Sequence, residues 1–145
     1  MSKFARYSVW LSRLFLIVTA IAFGRVAWLY LTNPAAAAAA SDFTAGSAAA
    51  ITSLRVGFGG FHLGCAVIAL AGAVWPKWLI PCLAFVATMM GAVVSARILG
   101  IIVDGPAARS FFVLRVEGTV FVLVIIALIL ERLMGGRRQS ATVSA

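Results

Sequence analysis

Acidic residues are scarce in this sequence, and so are the side chains that usually bind metals. The 145 residues include only 4 Asp and Glu, 1 His and 2 Cys. A single histidine and no Cys-x-x-Cys motif argue against a zinc or haem site, so we expect no metal and no cofactor. Cys65 and Cys82 fall on neighbouring predicted helices at depths that differ by roughly 9 Å, too far apart for a disulfide.

The positive charge has a different distribution from that of a nucleic-acid-binding protein. The chain carries 12 Lys and Arg, with a formal net charge of +8. These residues are spread over predicted helix ends and short loops, with no long basic run and no base-stacking motif. We therefore expect no nucleic-acid partner. Membrane anchoring by basic flanks is the better interpretation.

Four long apolar stretches dominate the sequence. The chain is 63% hydrophobic with a mean hydropathy of +1.10, more apolar than a small soluble domain could bury. The stretches run over about 9–31, 54–74, 79–103 and 111–130, each near the roughly 20 residues that span a bilayer as a helix. They predict an all-α fold, an integral membrane four-helix bundle that forms a single membrane domain over 1–145. The first stretch is too long for a signal-peptide core, so we expect an uncleaved span.

The connections between the stretches can be predicted from residues that end helices, cap them or form turns. Asn33-Pro34 ends the first helix, because proline disfavours helical backbone before it. The following segment, through Ser53, is expected to contain a partly helical piece with Ser41 as its N-cap. The sequences 75–78 and 104–106 predict tight turns.

Basic residues indicate how the bundle lies in the membrane. Seven of them fall on the side that both termini share: Lys3, Arg6, Arg13, Lys77, Arg132, Arg137 and Arg138. The first loop, 32–54, contains no Lys or Arg. The positive-inside rule then predicts that both termini are cytoplasmic, although Arg109 and Arg115 near the other face count against it.

The remaining polar residues concentrate in the outer half, and the cytoplasmic half is predicted to hold almost nothing ionisable. Arg55 and His62 are seven residues apart, as are Arg97 and Asp104, which places each pair on one face of a regular helix. Arg97 and Glu117 lie at similar depths, roughly 9 Å below the outer surface. We expect them to pair, because an isolated charge there costs a few kcal/mol.

These residues supply two overlapping predictions. A buried polar network is predicted for Arg97, Asp104 and Glu117, and a ligand-binding cluster for Arg55, His62, Arg97 and Glu117. We expect a neutral His62 that points toward Arg97 or Glu117 and borders a small cavity. A role restricted to fixing helix register stays open for all of them.

Two motifs and one acid resemble a known family. They are R-V-G-F-G-G-F-H-L-G at 55–64, A-R-I-L-G-I-I-V-D-G at 96–105, and Glu117. Together they resemble an uncharacterised bacterial four-span membrane family, domain of unknown function 4345, over most of the chain. The resemblance implies an inner-membrane protein without an assigned activity and carries over no residue role. A looser likeness to the DoxX-like group concerns the fold alone.

Three classes of function are compatible with this pattern. The first is a non-enzymatic accessory subunit or a module that binds lipids or lipophiles. Its expected partners are membrane lipids, a lipophilic or quinone-like ligand, and either further copies of the chain or a larger membrane complex. The alternative is an intramembrane acid–base enzyme on a lipophilic substrate, with His62 or Glu117 as acid or base. The third is a small proton-coupled transporter, for which Glu117 is the expected carboxylate.

Overall fold

The fold is an all-α membrane helical bundle. A computed structural model describes the backbone of residues 3–143 and the side chains of residues 7–133, and this part contains helices and no strand. The α-helices are α1 (Lys3–Thr32), α2 (Pro34–Ala39), α3 (Ala48–Leu54), α4 (Phe61–Val74), α5 (Leu79–Asp104) and α6 (Ala108–Val143). A π-helical segment, Arg55–Gly60, joins α3 to α4, and a 3₁₀ turn, Pro76–Trp78, precedes α5.

Within the described residues, four helical stretches are long and apolar enough to cross a membrane. They are Tyr7–Thr32, Ala48–Val74, Pro76–Asp104 and Ala108–Leu133. Each contains one of the apolar stretches predicted from the sequence. The second begins six residues earlier than the predicted stretch, because α3, the π-helical segment and α4 are continuous.

The two ends of the bundle differ in composition. We call the end with the start of α1, the end of α6 and the α4–α5 turn the terminal end. The opposite end, with the connection from α1 to α3 and the α5–α6 turn, is the loop end. In the latter turn Gly105 has φ 95°, a left-handed conformation that glycine adopts at little cost, so α5 can end abruptly.

The apolar core lies in the terminal half. Helix α1 packs mainly against α4 and α5 mainly against α6, while α4 and α5 connect the two pairs. Among residues 7–133, ten buried residues form the core: Leu16, Ala69, Ala73, Leu79, Cys82, Leu83, Val86, Ala87, Met90 and Val124. A Cβ atom added at Gly72 would clash with Cys82 Cβ, so glycine permits the close approach of α4 and α5.

The loop half is packed more loosely. No residue of α5 beyond Met90 is buried, and none of α6 before Val124. Dispersion contacts between the helix pairs are therefore concentrated at the terminal end, and space is left between them at the loop end.

Helix capping in the first connection differs from the prediction. The alanine tract itself is helical, because Asn33 accepts a hydrogen bond from Ala36 N and Pro34 occupies the first turn. Ser47, and not Ser41, is the N-cap of α3, where its side chain accepts a hydrogen bond from Ala50 N. The expectation for Ser41 was wrong because the preceding tract is already a helix and Ser41 follows its end.

Candidate functional site

Arg97 and Glu117 form an ion pair between α5 and α6 in the loop half. Arg97 Nη2 donates to Glu117 Oε1 at 2.7 Å, and Arg97 Nε donates to Oε2 of the same carboxylate. The side chains are 31% and 18% exposed, respectively. This two-point contact is the pairing expected from their common depth, since a planar guanidinium matches a carboxylate through two parallel hydrogen bonds.

Arg97 also faces open space. A guanidinium has five N–H donors, so about three stay available after the pair with Glu117 forms. Arg97 lines a cavity of about 590 Å³ between the two helix pairs, which we call the loop-end cavity. Its wall consists of Tyr30, Ser41, Asp42, Phe43, Phe58, Arg97, Ala107, Arg109, Ser110 and Val113. Three aromatic rings and two guanidinium groups therefore face the same space.

A second concavity lies beside the same arginine. This groove of about 560 Å³ runs along α5 and includes Arg97, Gly100 and Asp104. Asp104 is exposed, and within residues 7–133 it makes no side-chain hydrogen bond to Arg97 or Glu117. The prediction of Asp104 as a member of a buried network is therefore wrong. Its position in the last turn of α5 brings its carboxylate to the end of the helix, where it is exposed.

Polar contacts between α6 and the first connection lie at the wall of the loop-end cavity. Arg109, at the start of α6, donates to Asp42 Oδ2 at 3.3 Å and to the Ala40 carbonyl at 2.6 Å. Asp42 has φ 62°, and Phe43 N and Asp42 N donate to the carbonyls of Ala38 and Ala39. This pattern is a Schellman motif with aspartate where glycine is usual. The hydrogen bonds of Arg109 thus connect the α1–α3 connection to the start of α6 at the wall of the cavity.

Arg55 and His62 do not have the relation expected from their spacing. The prediction assumed a regular α-helix, but a π-helical segment lies between them. A π-helix bonds residue i to i+5 and takes more residues per turn, so a separation of seven no longer returns to the same face. Arg55 is exposed and His62 is half-buried. The side chain of Arg55 lines neither the loop-end cavity nor the α5 groove.

His62 lies behind the cavity, within a group of aromatic rings. Its ring is 5.7 Å from Phe23, 6.1 Å from Phe58 and 5.9 Å from Phe61, measured between ring centroids. Among the described residues it has no hydrogen bond to Arg97 or Glu117, and its buried Nδ1 atom has no partner. It lines neither the loop-end cavity nor the α5 groove. The expected orientation toward the ion pair is therefore not found, because the neighbouring rings surround the imidazole.

A further polar cluster was missed in the sequence. Glu131 is 4% exposed, and its Oε1 accepts hydrogen bonds from Ser8 Oγ at 2.6 Å and from Ser12 Oγ at 3.1 Å. The terminal half thus holds a buried carboxylate, contrary to the prediction that it contains almost nothing ionisable. The available signal was the i, i+4 spacing of the two serines in an apolar helix. Glu131 was overlooked because it adjoins the basic flank of the last stretch.

The fold and the site together define a four-span membrane protein with a polar, aromatic-lined cavity in one half. Within residues 7–133 no group of three or more His, Cys, Asp or Glu side chains is placed to hold a metal ion. Residues 11–133 match the family described as domain of unknown function (DUF4345), and the chain belongs to that family. No curated protein and no solved structure matches the chain.

Proposed function

We propose that this protein is a non-enzymatic module that binds a lipophilic, carbonyl-bearing molecule such as a quinone in the loop-end cavity. The observation that carries the proposal is Arg97, fixed by Glu117 at the wall of a 590 Å³ cavity. Ligand sites are typically clefts of about 300–1,000 Å³ that combine apolar lining with a few oriented polar groups. The free N–H groups of Arg97 supply such a polar contact.

The local charge balance favours a neutral head group. Arg97 is matched by Glu117, and Arg109 by Asp42. Since each guanidinium charge is already balanced by a carboxylate, the pairs leave little net positive charge to attract an anion. A neutral carbonyl or hydroxyl needs only a spare N–H, and the rings of Tyr30, Phe43 and Phe58 supply apolar contact. The apolar tail of the guest would extend into the surrounding lipid.

The position of His62 makes catalysis a weaker proposal. A general acid or base must come within hydrogen-bond reach of its substrate, about 2.6–3.2 Å. Phe58 lines the cavity and stacks on His62, so its ring stands between the imidazole and the guest. Glu117 is engaged by Arg97 through both carboxylate oxygens, which also disfavours its use as the carrier of a proton in transport.

Ligand-induced stabilisation tests the proposed function. The purified chain in mild detergent is titrated with decylubiquinone, and its melting temperature is followed. Binding raises the melting temperature with concentration, since a ligand of the folded state stabilises by RT ln(1 + [L]/Kd). The double variant Arg97→Met, Glu117→Leu should lose this shift. Arg115→Met is the matched control, because Arg115 is an exposed arginine of α6 outside the cavity wall.

The outcome of this titration separates the two remaining roles. If decylubiquinone leaves the melting temperature of the wild-type chain unchanged, the binding proposal fails. The chain would then be better explained as an accessory subunit whose polar groups fix helix register. Equal shifts in the wild-type chain and the double variant would show that the quinone binds elsewhere.

We further propose that the protein lies in the bacterial inner membrane with both termini cytoplasmic. The support is the distribution of Lys and Arg in short flanks and the absence of both from the first loop, 32–54. The loop-end cavity then opens toward the periplasmic side. Reporter fusions after Ala145 and within 35–40 should report opposite compartments. A periplasmic signal from the C-terminal fusion would overturn this topology.

A further inference from the structure

The π-helical segment Arg55–Gly60 packs against α1, and its Phe58 lines the loop-end cavity. Its i→i+5 bonding inserts extra chain into a helix, and such segments are frequent at functional sites. Gly59 is the buried residue of the segment. A Cβ atom built there would lie 2.9 Å from Leu31 Cγ and 3.4 Å from Leu31 N, so the segment rests directly on α1.

Phe58 is the residue of this segment that reaches the cavity. Its ring lies 4.8 Å from that of Tyr30 at an interplanar angle of 20°, and 6.1 Å from that of His62 at 17°. Three nearly parallel rings therefore form a short stack, and Tyr30 and Phe58 belong to the cavity wall. A flat guest ring in the cavity can contact the edge of this stack, and edge-to-face contact is a favoured arrangement of aromatic rings.

We propose that Phe58 is the specificity-determining residue of the loop-end cavity, and that the contact of Gly59 with α1 positions it. Phe58 selects guests whose head group is a flat, unsaturated ring over guests that carry the same carbonyl on a saturated chain. Arg97 binds the carbonyl of either guest, whereas the ring stack binds only the first. This inference rests on the proposed binding function.

Two ligands and two phenylalanines test the selection. Decylubiquinone offers a ring with carbonyl groups, and tridecan-2-one offers a carbonyl on a saturated chain. Phe58→Leu should weaken the binding of decylubiquinone by about 3–10-fold, from the usual strength of an aromatic pair. It should leave that of tridecan-2-one nearly unchanged. Phe61→Leu is the matched control, because Phe61 also contacts His62 but lies outside the cavity wall.

Two glycines of the same segment test the positioning. Gly59→Ala should displace the segment from α1 and weaken the binding of decylubiquinone as Phe58→Leu does. Rotation about the Cβ–Cγ bond of Leu31 cannot make enough room, because it moves Cδ2 but not Cγ, and Cγ is itself 2.9 Å from the new Cβ. Gly57→Ala is the control, with the same gain in helix propensity and no atom within 4 Å of the new Cβ. Melting temperatures without ligand verify that each variant is folded.

The results distinguish this inference from the proposed function. If the wild-type chain binds neither ligand, the proposed function fails and the selection with it. If it binds decylubiquinone and Phe58→Leu behaves as Phe61→Leu does, the inference is wrong and the binding function stands. If Gly59→Ala and Gly57→Ala bind decylubiquinone equally, the contact with α1 does not position Phe58.

Discussion

Replacing Glu117 alone should destabilise the bundle more than replacing both members of its ion pair. Glu117→Gln removes the negative charge and leaves the Arg97 guanidinium in the membrane-spanning part of α5 opposite a neutral amide. Stranding one member of a buried pair costs about 3–5 kcal/mol. Because Arg97 is 31% exposed, part of its charge stays accessible to water, and we expect a loss of about 2 kcal/mol.

The double replacement removes the charges together. Arg97→Met with Glu117→Leu puts apolar side chains of similar bulk between α5 and α6, and such exchanges are often neutral or stabilising. We expect a change within about 1 kcal/mol of the wild-type value. Free energies of unfolding can be measured by denaturant titration in detergent micelles, with the α-helical circular dichroism signal as the readout.

A second ion pair supplies the control for this measurement. Asp42 and Arg109 lie at the loop end with side chains 83% and 57% exposed. Asp42→Asn keeps a residue that tolerates left-handed backbone, and it should change stability by less than about 1 kcal/mol, as for surface pairs. If the double replacement at Arg97 and Glu117 is at least as destabilising as Glu117→Gln, the pair is a net source of stability. The desolvation argument would then be refuted.

Two further predictions concern the terminal half. Gly72→Ala should cost about 1–3 kcal/mol by overpacking against Cys82, whereas Gly64→Ala, with nothing within 4 Å of its new Cβ, should not destabilise. Equal melting temperatures for the two variants would contradict the close approach of α4 and α5. Glu131→Leu should cost about 1–3 kcal/mol or more, because it leaves the hydroxyls of Ser8 and Ser12 without their acceptor. Glu131→Gln keeps an acceptor oxygen and should lose less, and the opposite order would mean that the negative charge is the important feature.

The four spans and the Arg97–Glu117 ion pair could be predicted from the sequence, because they depend on hydropathy, segment length and depth along a helix. Runs of apolar residues near the length of a bilayer crossing must be helical, since every backbone group has to be paired inside lipid. Arg97 and Glu117 could be matched because residue count along a helix gives depth directly. The prediction needed only one further assumption, that each of these two charges pairs with the opposite charge at the same depth.

Two kinds of feature could not be predicted in this way: the face of a helix on which a residue lies, and the direction in which its side chain points. The π-helical segment invalidated the inference that Arg55 and His62 share a face, since helix periodicity is regular only while the hydrogen-bonding pattern is unchanged. The cavity wall likewise joins residues from α1, the first connection, the π-helical segment, α5 and α6.

The sequence by itself determined that this chain is a four-span helical membrane protein with its paired charges in one half, because hydropathy, length and depth are properties of each segment alone. The tertiary structure decided that the core lies at the terminal end, that Glu131 is buried against two serines of α1, and that Phe58 and not His62 faces the cavity. These outcomes depend on how closely helix backbones approach one another. That approach is set by the mutual packing of side chains from distant segments, which no single stretch of sequence specifies.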